Sequence, residues 1–147
     1  MIPIWYHYRT RLNLKLLSRN TDYAVRAVCY MAKDKKRIFS VRELVDALKM
    51  PRPFLRKILQ VLNNKGLLRS YKGIGGGFRL ARKAENIYLI DMIEAFQGPF
   101  KLNECFFKRK ICPNRSSCSL KRKIDTIEGM VYKELKSITI GSILKGG

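Results

Sequence analysis

Three cysteines lie close together in the second half of the chain. Cys105, Cys112 and Cys118 are separated by six and then by five residues. Because thiolates bind metal ions and react with oxidants, a group with this spacing could hold a metal or act as a thiol switch. The first residues contain no apolar run typical of a signal peptide. A structural disulfide framework is therefore not expected.

The composition indicates a globular protein with a polyanionic partner. The chain has 147 residues, 46% of them hydrophobic, and a formal net charge of +20. That hydrophobic content is enough for the core of one ordinary domain. A charge this positive is typical of nucleic-acid binding, although a ribosomal or membrane-surface protein would share it. No apolar run is long enough to span a bilayer, and a cytoplasmic location is expected.

Part of this charge lies in a segment with a helix-turn-helix pattern. Residues 40–82 carry ten basic and two acidic side chains. Ser40 and Glu43 have the spacing of a capping box, before a short helix that ends near Lys49. Pro51 opens a second helix, whose apolar residues recur at helical spacing. Its outward-facing polar side chains are the expected DNA contacts: Arg52, Arg56, Lys57 and Gln60.

A β-hairpin is expected directly after the second helix. Residues 67–71 and 78–81 read as strands, and the turn 72–77 between them contains four glycines. Glycine permits the positive φ of tight turns and a close approach to another surface. A phosphate-binding loop is disfavoured, because Gly-Lys-Ser/Thr is absent and a strand follows. The better interpretation is a wing in a DNA minor groove, with contacts from Lys72, Gly75, Gly76 and Arg79.

Three further helices are expected around this segment. A helical pattern begins at Leu14 and includes Cys29 as a small buried residue, and another stretch covers residues 87–96. A long helix starts at Ser119, and its apolar residues are spaced 4, 3, 4, 4 and 3 apart. That narrow stripe favours a dimer interface over a single-chain core. The expected interface residues are Leu120, Ile124, Ile127, Val131 and Leu135.

The predicted fold class is mainly α with a small β-hairpin wing. A winged helix-turn-helix head precedes a long C-terminal dimerisation helix. Residues 1–13 are expected to be a flexible N-terminal extension, and residues 14–100 the DNA-binding domain. Residues 101–118 are the expected cysteine sensor loop, and residues 119–147 the dimerisation helix with its C-terminal tail.

This combination resembles the IscR/NsrR/RirA family of bacterial winged-helix transcription regulators. The likeness covers about residues 15–144 and rests on four motifs: Thr21-Asp-Tyr-Ala-Val-Arg26, the Gly75-Gly-Gly-Phe wing, Asp91-Met-Ile-Glu-Ala-Phe-Gln-Gly-Pro99 and the cysteine spacing. The resemblance implies a homodimer on a partly palindromic operator, with recognition helices in major grooves and wings in minor grooves. The chain departs from the usual pattern in its first 14 residues. Its cysteine spacing also differs from that of several relatives.

By that resemblance Cys105, Cys112 and Cys118 are ligands of an iron–sulfur cluster, either 4Fe–4S or 2Fe–2S, which an air-exposed preparation is expected to lose. Thiolates hold such clusters, and nearby basic residues lower the cost of forming them. Some relatives use a histidine where this chain has Lys121, and others an acidic residue from the partner subunit. Asp22 occupies that second place and is the expected fourth ligand. A helix N-terminal carboxylate without a metal is the alternative.

The expected function is a transcriptional regulator, specifically a repressor, whose operator affinity responds to iron, redox state or nitric oxide through the cluster. One alternative keeps DNA binding but uses the cysteines as a thiol switch, or as a zinc site with Asp22. A sequence-independent nucleic-acid binder is another. An enzyme is not expected, because the sequence has no histidine near a cysteine, no paired acids and no phosphate-binding loop.

Overall fold

The computed structural model describes residues 15–102 and 117–146, and it confirms the predicted fold class. The predicted extension, residues 1–13, lies outside the described residues. A short 3-10 helix, Ala84–Asn86, precedes the fourth α-helix. No helix in these two ranges combines the length and the apolar character needed to cross a bilayer. The elements in chain order are α1 (Arg19–Met31), α2 (Val41–Leu48), α3 (Arg52–Asn64), β1 (Leu68–Tyr71), β2 (Gly77–Leu80), α4 (Leu89–Gln97), α5 (Ser119–Ser137) and α6 (Ile140–Lys145).

The first helix begins later and ends earlier than the apolar pattern indicated. α1 starts at Arg19 because Ser18 caps it, and the Ser18 hydroxyl accepts a hydrogen bond from the Thr21 amide at 3.2 Å. The helix ends at Met31, ahead of the basic cluster in which it was expected to end. Cys29 lies half-buried against the core of the head, in agreement with its predicted packing role.

α2 and α3 form the predicted helix-turn-helix. The Ser40 hydroxyl accepts from the Glu43 amide at 3.1 Å, which confirms one half of the capping box. The Glu43 carboxylate pairs instead with Arg37 at 2.8 Å, because a hydrogen bond between two charged groups is stronger than one to a neutral amide. Lys49 adopts the left-handed conformation, with φ 54°, where the turn was predicted.

β1 and β2 form the predicted hairpin, in which Tyr71 lies opposite Gly77. A further backbone pair docks the hairpin on the head: Phe39 and Phe78 exchange amide-to-carbonyl hydrogen bonds of 2.8 and 2.9 Å. Gly77 makes this approach possible, since a Cβ at that position would collide with the Phe39 carbonyl. The hairpin is therefore fixed to the segment before α2.

Two apolar cores hold the helices together. The larger core lies among α1, α2, α3 and the hairpin and includes Ile140 of α6. The smaller lies between α4 and α5, around Ile93 and Leu135. A backbone hydrogen bond from Leu89 N to Ile138 O, 2.9 Å long, fixes the end of α5 beside the start of α4. The long helix is thus attached to the head at its C-terminal end.

The docking of the hairpin predicts unequal effects of two glycine substitutions. Both Gly75 and Gly77 have positive φ, 74° and 153°, but a Cβ at Gly75 meets open space. Gly75→Ala should cost about 1–2 kcal/mol of folding free energy, and Gly77→Ala at least about 2 kcal/mol more. Urea denaturation measures both variants, and the entropy change of the unfolded chain cancels between them. Equal costs would contradict the docking on Phe39.

Candidate nucleic-acid interface and cysteine site

The outer face of α3 carries the four polar residues predicted to contact DNA. Arg52, Arg56, Lys57 and Gln60 are all exposed, and the apolar residues of the opposite face are buried. The Gln60 amide donates to Asn64 Oδ1 at 3.1 Å, which orients it along the helix. The two arginines lie one turn apart, and each guanidinium fork can pair bidentately with a guanine edge.

A side-chain hydrogen bond joins α3 to the hairpin. Asn63, in the last turn of α3, accepts from the Ser70 amide in β1 at 3.0 Å. Gly66, with φ 70°, ends the helix where the sequence predicted and turns the chain towards β1. The two elements predicted to contact DNA are therefore held in a fixed relation to each other.

One face of the hairpin is basic. Arg69 and Arg79 lie directly opposite each other on the two strands, and the Arg79 guanidinium lies 5.3 Å from the centre of the Tyr71 ring. Like charges in opposite positions destabilise a hairpin. A bound polyanion would offset the repulsion between the two arginines, which gives a reason for their presence. Sequence reasoning predicted only Arg79 here. The period-two alternation of strands, which puts Arg69 and Tyr71 on the same face, could have found the others.

The turn of the hairpin separates the predicted contacts into two kinds. Lys72 and Gly75 are exposed and can reach a ligand. Gly76 is half-buried, and a Cβ there would collide with the Tyr71 carbonyl. The glycine at position 76 is therefore explained by the folding of the turn itself.

The structure describes two of the four cysteines, and Cys105 and Cys112 lie outside it. Cys118 is the N-cap of α5, where its sulfur accepts from the Lys121 amide at 3.4 Å. The N-terminus of α5, with its amide donor and the positive end of its dipole, therefore lies at this sulfur. Burial raises the pKa of the Cys29 thiol, which favours the protonated form of this half-buried cysteine beside the core of the head.

Asp22 lies in the first turn of α1, as predicted. Its carboxylate pairs with Arg26 Nε at 3.0 Å, and 47% of its side-chain surface is exposed. It can therefore be reached in part from outside its own chain, and the pair with Arg26 uses one of its two carboxylate oxygens, Oδ2. Within residues 15–102 and 117–146, no three possible metal-ligating side chains come together.

Both ends of the cysteine segment, residues 101–118, are attached to α5. The Glu128 carboxylate pairs with Lys101 Nζ at 2.8 Å and accepts from the Leu102 amide at 2.9 Å, while Cys118 begins the helix. Only 14% of the Glu128 side chain is exposed. Sequence reasoning missed this anchor. Its signal is an acidic residue one turn after Ile124, on the apolar side of the helix.

A second polar contact connects the end of α4 to the start of α1. Gln97, the last residue of α4, accepts from the Ser18 amide and from the Thr21 hydroxyl, both at 2.8 Å. Thr21 is fully buried, so this pair satisfies a polar group that would otherwise cost stability. The helix that carries Asp22 is thus held against the end of α4.

The predicted dimer-interface residues of α5 divide into two sets. Leu120 is 70% exposed and Ile127 is also exposed, whereas Ile124 and Val131 are half-buried. Leu135 packs in the smaller core of its own chain. Met130, which sequence reasoning missed, is 66% exposed and extends the apolar surface at helical spacing from Ile127. These exposed apolar residues of α5 therefore lie on its N-terminal two thirds.

Known proteins are similar to this chain in sequence and in fold. Residues 17–146 match the family described as Rrf2, iron-dependent transcriptional regulator. The chain is 33% identical over 130 residues to Protein aau3 of Rhizobium meliloti, covering 88% of this chain and 84% of that protein. It is 28% identical over 131 residues to the HTH-type transcriptional regulator NsrR of Oceanobacillus iheyensis, covering 88% and 89%. Its fold is similar to that of CymR, the global cysteine regulator of B. subtilis, with a TM-score of 0.74, 21% identity, and 89% and 97% of the two chains covered.

The anchor on Glu128 predicts a stability difference that depends on pH. The hydrogen bonds from Lys101 and then from the Leu102 amide lower the pKa of Glu128, and the bond to Glu128 raises the pKa of Lys101. A lowered carboxyl pKa stabilises the fold above the unfolded-state value of about 4.3. This contribution disappears as the pH falls through the lower folded-state pKa. Glu128→Gln should therefore be less stable than wild type at about pH 7, and the difference should shrink as the pH falls below about 4.3.

Urea denaturation at fixed protein concentration measures this difference. Glu134→Gln is the matched control, because Glu134 is an exposed acidic residue of the same helix and an exposed charge should contribute little. Equal effects of the two substitutions at neutral pH would contradict the anchoring role of Glu128.

Proposed function

The chain belongs to the Rrf2 family of iron-dependent transcriptional regulators, and we propose that it is a repressor whose operator affinity is controlled by an iron–sulfur cluster. The family resemblance inferred from the sequence is confirmed, and members of this family are transcriptional regulators rather than enzymes. For this chain the proposal rests on the basic surface that α3 and the hairpin form together.

In the proposed complex α3 lies in a major groove and the hairpin in the neighbouring minor groove. Arg52 and Arg56 pair with base edges, and Lys57 contacts phosphate. A homodimer formed through α5 places two such heads on half-sites about 34–36 Å apart. The exposed apolar surface around Ile127 and Met130 supports this dimer, because a second copy would remove it from water.

The proposed cluster ligands are Cys105, Cys112 and Cys118, with Asp22 of the partner subunit as the fourth. When bound, the cluster supplies an iron centre that responds to iron supply, oxidants or nitric oxide. Cys118 suits the role because α5 directs its positive end at the sulfur. Asp22 is half-exposed, and its ligation to the partner's cluster would tie one subunit's head to the other's sensor.

The chain's own contacts provide a path from the cysteine segment to the DNA face. Glu128 holds the start of the segment on α5, and Gln97 holds the start of α1 on α4. A change in the segment can therefore alter how α5 lies against the head and how far apart the two recognition helices are. Because half-site spacing is set by the DNA helix, a small change in that distance lowers affinity.

A thiol switch is the second candidate. The position of Cys118 at the N-terminus of α5 supports it, since helix N-termini are one of the places where reactive cysteines occur in proteins. The fold is also similar to that of CymR, whose name describes a cysteine regulator. In this alternative the same contacts transmit the oxidation state of the cysteines, and no iron is bound.

Cluster loading separates the two candidates. After anaerobic reconstitution the wild-type chain should absorb visible light and contain iron and sulfide in near-equal amounts. Cys105→Ser, Cys112→Ser and Cys118→Ser should each lose most of both, because each removes a thiolate ligand. Cys29→Ser is the matched control and should keep them. A colourless wild-type protein containing zinc or no metal would reject the cluster and favour the alternatives.

The DNA face predicts two distinguishable kinds of loss. Arg56→Ala should cost about 1–3 kcal/mol and relax the preference for one base pair, while Lys57→Ala should weaken all sequences alike and reduce the salt slope by about 1. Lys133→Ala, an exposed basic residue of α5, is the control and should bind as wild type does. Titration at several salt concentrations measures the loss of affinity and the change in salt slope. A wild-type affinity that does not change with salt would contradict DNA binding through this face.

A further inference from the structure

The tip of the basic hairpin carries an isoleucine. Ile74 is fully exposed. The glycines on either side, Gly73 and Gly75, have φ values of 88° and 74°, and the Gly76 amide donates to the Gly73 carbonyl at 3.0 Å. The geometry of the turn therefore directs a large apolar side chain into solvent, where it makes no contribution to the core.

The strands beneath this tip are held by two sets of contacts. The backbone pair between Phe39 and Phe78 docks the hairpin on the head, and the Arg79 guanidinium lies over the Tyr71 ring just below the turn. A side chain presented from a fixed support loses little conformational freedom when it binds. Ile74 is thus arranged for contact with a partner.

We propose that Ile74 is an apolar wedge that inserts into the minor groove of the operator, an inference that rests on the DNA-binding part of the proposed function. Isoleucine is one of the side chains that minor-groove proteins insert between base steps. The charge around the tip matches DNA: residues 49–83 carry ten basic and no acidic side chains. Lys72, exposed two residues before the tip, can neutralise a phosphate at the edge of the groove.

A wedge makes the hairpin a determinant of sequence preference. Unstacking costs least at pyrimidine–purine steps such as TA and CA, which are flexible and easily kinked. The tip would therefore select such a step through its deformability, while α3 reads base edges. A spectator isoleucine would have no preference, and a hairpin that contacts only phosphates would respond to charge alone.

The experiment uses a duplex enriched from a random-sequence pool by the full-length wild-type chain, and compares Ile74→Ser, Ile74→Leu and Ile74→Lys. Loss of the wedge should weaken binding by about tenfold per hairpin in Ile74→Ser, with the wild-type salt slope because no charge changes. Ile74→Leu keeps the apolar side chain and should retain most of the affinity. Ile74→Lys should steepen the salt slope by about 0.9 per hairpin. Thermal unfolding of all three should match wild type, since the side chain is outside the core.

A second measurement locates the effect on the DNA. Hydroxyl-radical footprinting identifies the step that faces the hairpin, and that step is replaced by GG. Wild type should bind the altered duplex less well, whereas Ile74→Ser should bind both duplexes alike. The proposal is overturned if Ile74→Ser binds as wild type does, or if the loss of affinity in Ile74→Ser comes with a shallower salt slope. If wild type enriches no duplex, or Arg56→Ala has no effect, the proposed function itself fails. If only Arg56→Ala weakens binding, the wedge alone fails.

Discussion

The carboxylate of Glu128 fixes the beginning of the cysteine segment to α5. The end of the same segment, Cys118, is the N-cap of that helix. One oxygen of the Glu128 carboxylate pairs with Lys101 and the other accepts from the Leu102 amide, and Cys118 caps the helix ten residues earlier. The two attachment points are about 15 Å apart along the helix axis, at 1.5 Å per residue. Any change in the segment between them is therefore applied to α5 at two fixed positions, and the proposed regulation depends on this closure.

The opposite end of α5 is where the head is attached. Leu135 packs in the core shared with α4, and the backbone bond between Leu89 and Ile138 fixes the end of the helix there. Gln97 then connects α4 to the start of α1. A single helix thus holds both ends of the cysteine segment in its N-terminal half and packs against the head at its last turns, and its exposed apolar surface includes Leu120, Ile127 and Met130. This order is what a proposed dimer needs if a local change is to alter the spacing of its two heads.

Much of this arrangement follows from local sequence patterns. The outward residues of α3 were predictable because burial there repeats with the helical period, and the turn of the hairpin because its glycines have few other uses. The contacts of Glu128 and Gln97 were not, since each joins residues 26 or more positions apart, and no local pattern reports such pairs. Glu43 shows how a local pattern can mislead: its spacing from Ser40 suits a capping box, but Arg37 offers its carboxylate a stronger partner. The apolar stripe of α5 was found correctly, yet spacing alone could not show that its last part, around Leu135, faces the chain's own core.

The proposed coupling between the cysteine segment and the DNA-binding face is tested most directly by comparing the operator affinity of anaerobically reconstituted protein with that of the same protein after removal of the iron. Coupling through α5 predicts that the two affinities differ by about 5–150-fold. Glu128→Gln should reduce that difference without changing the content of iron and sulfide, because the substitution weakens the attachment of the segment and leaves the proposed ligands in place. Equal affinities of the two wild-type forms for the operator would contradict coupling through α5.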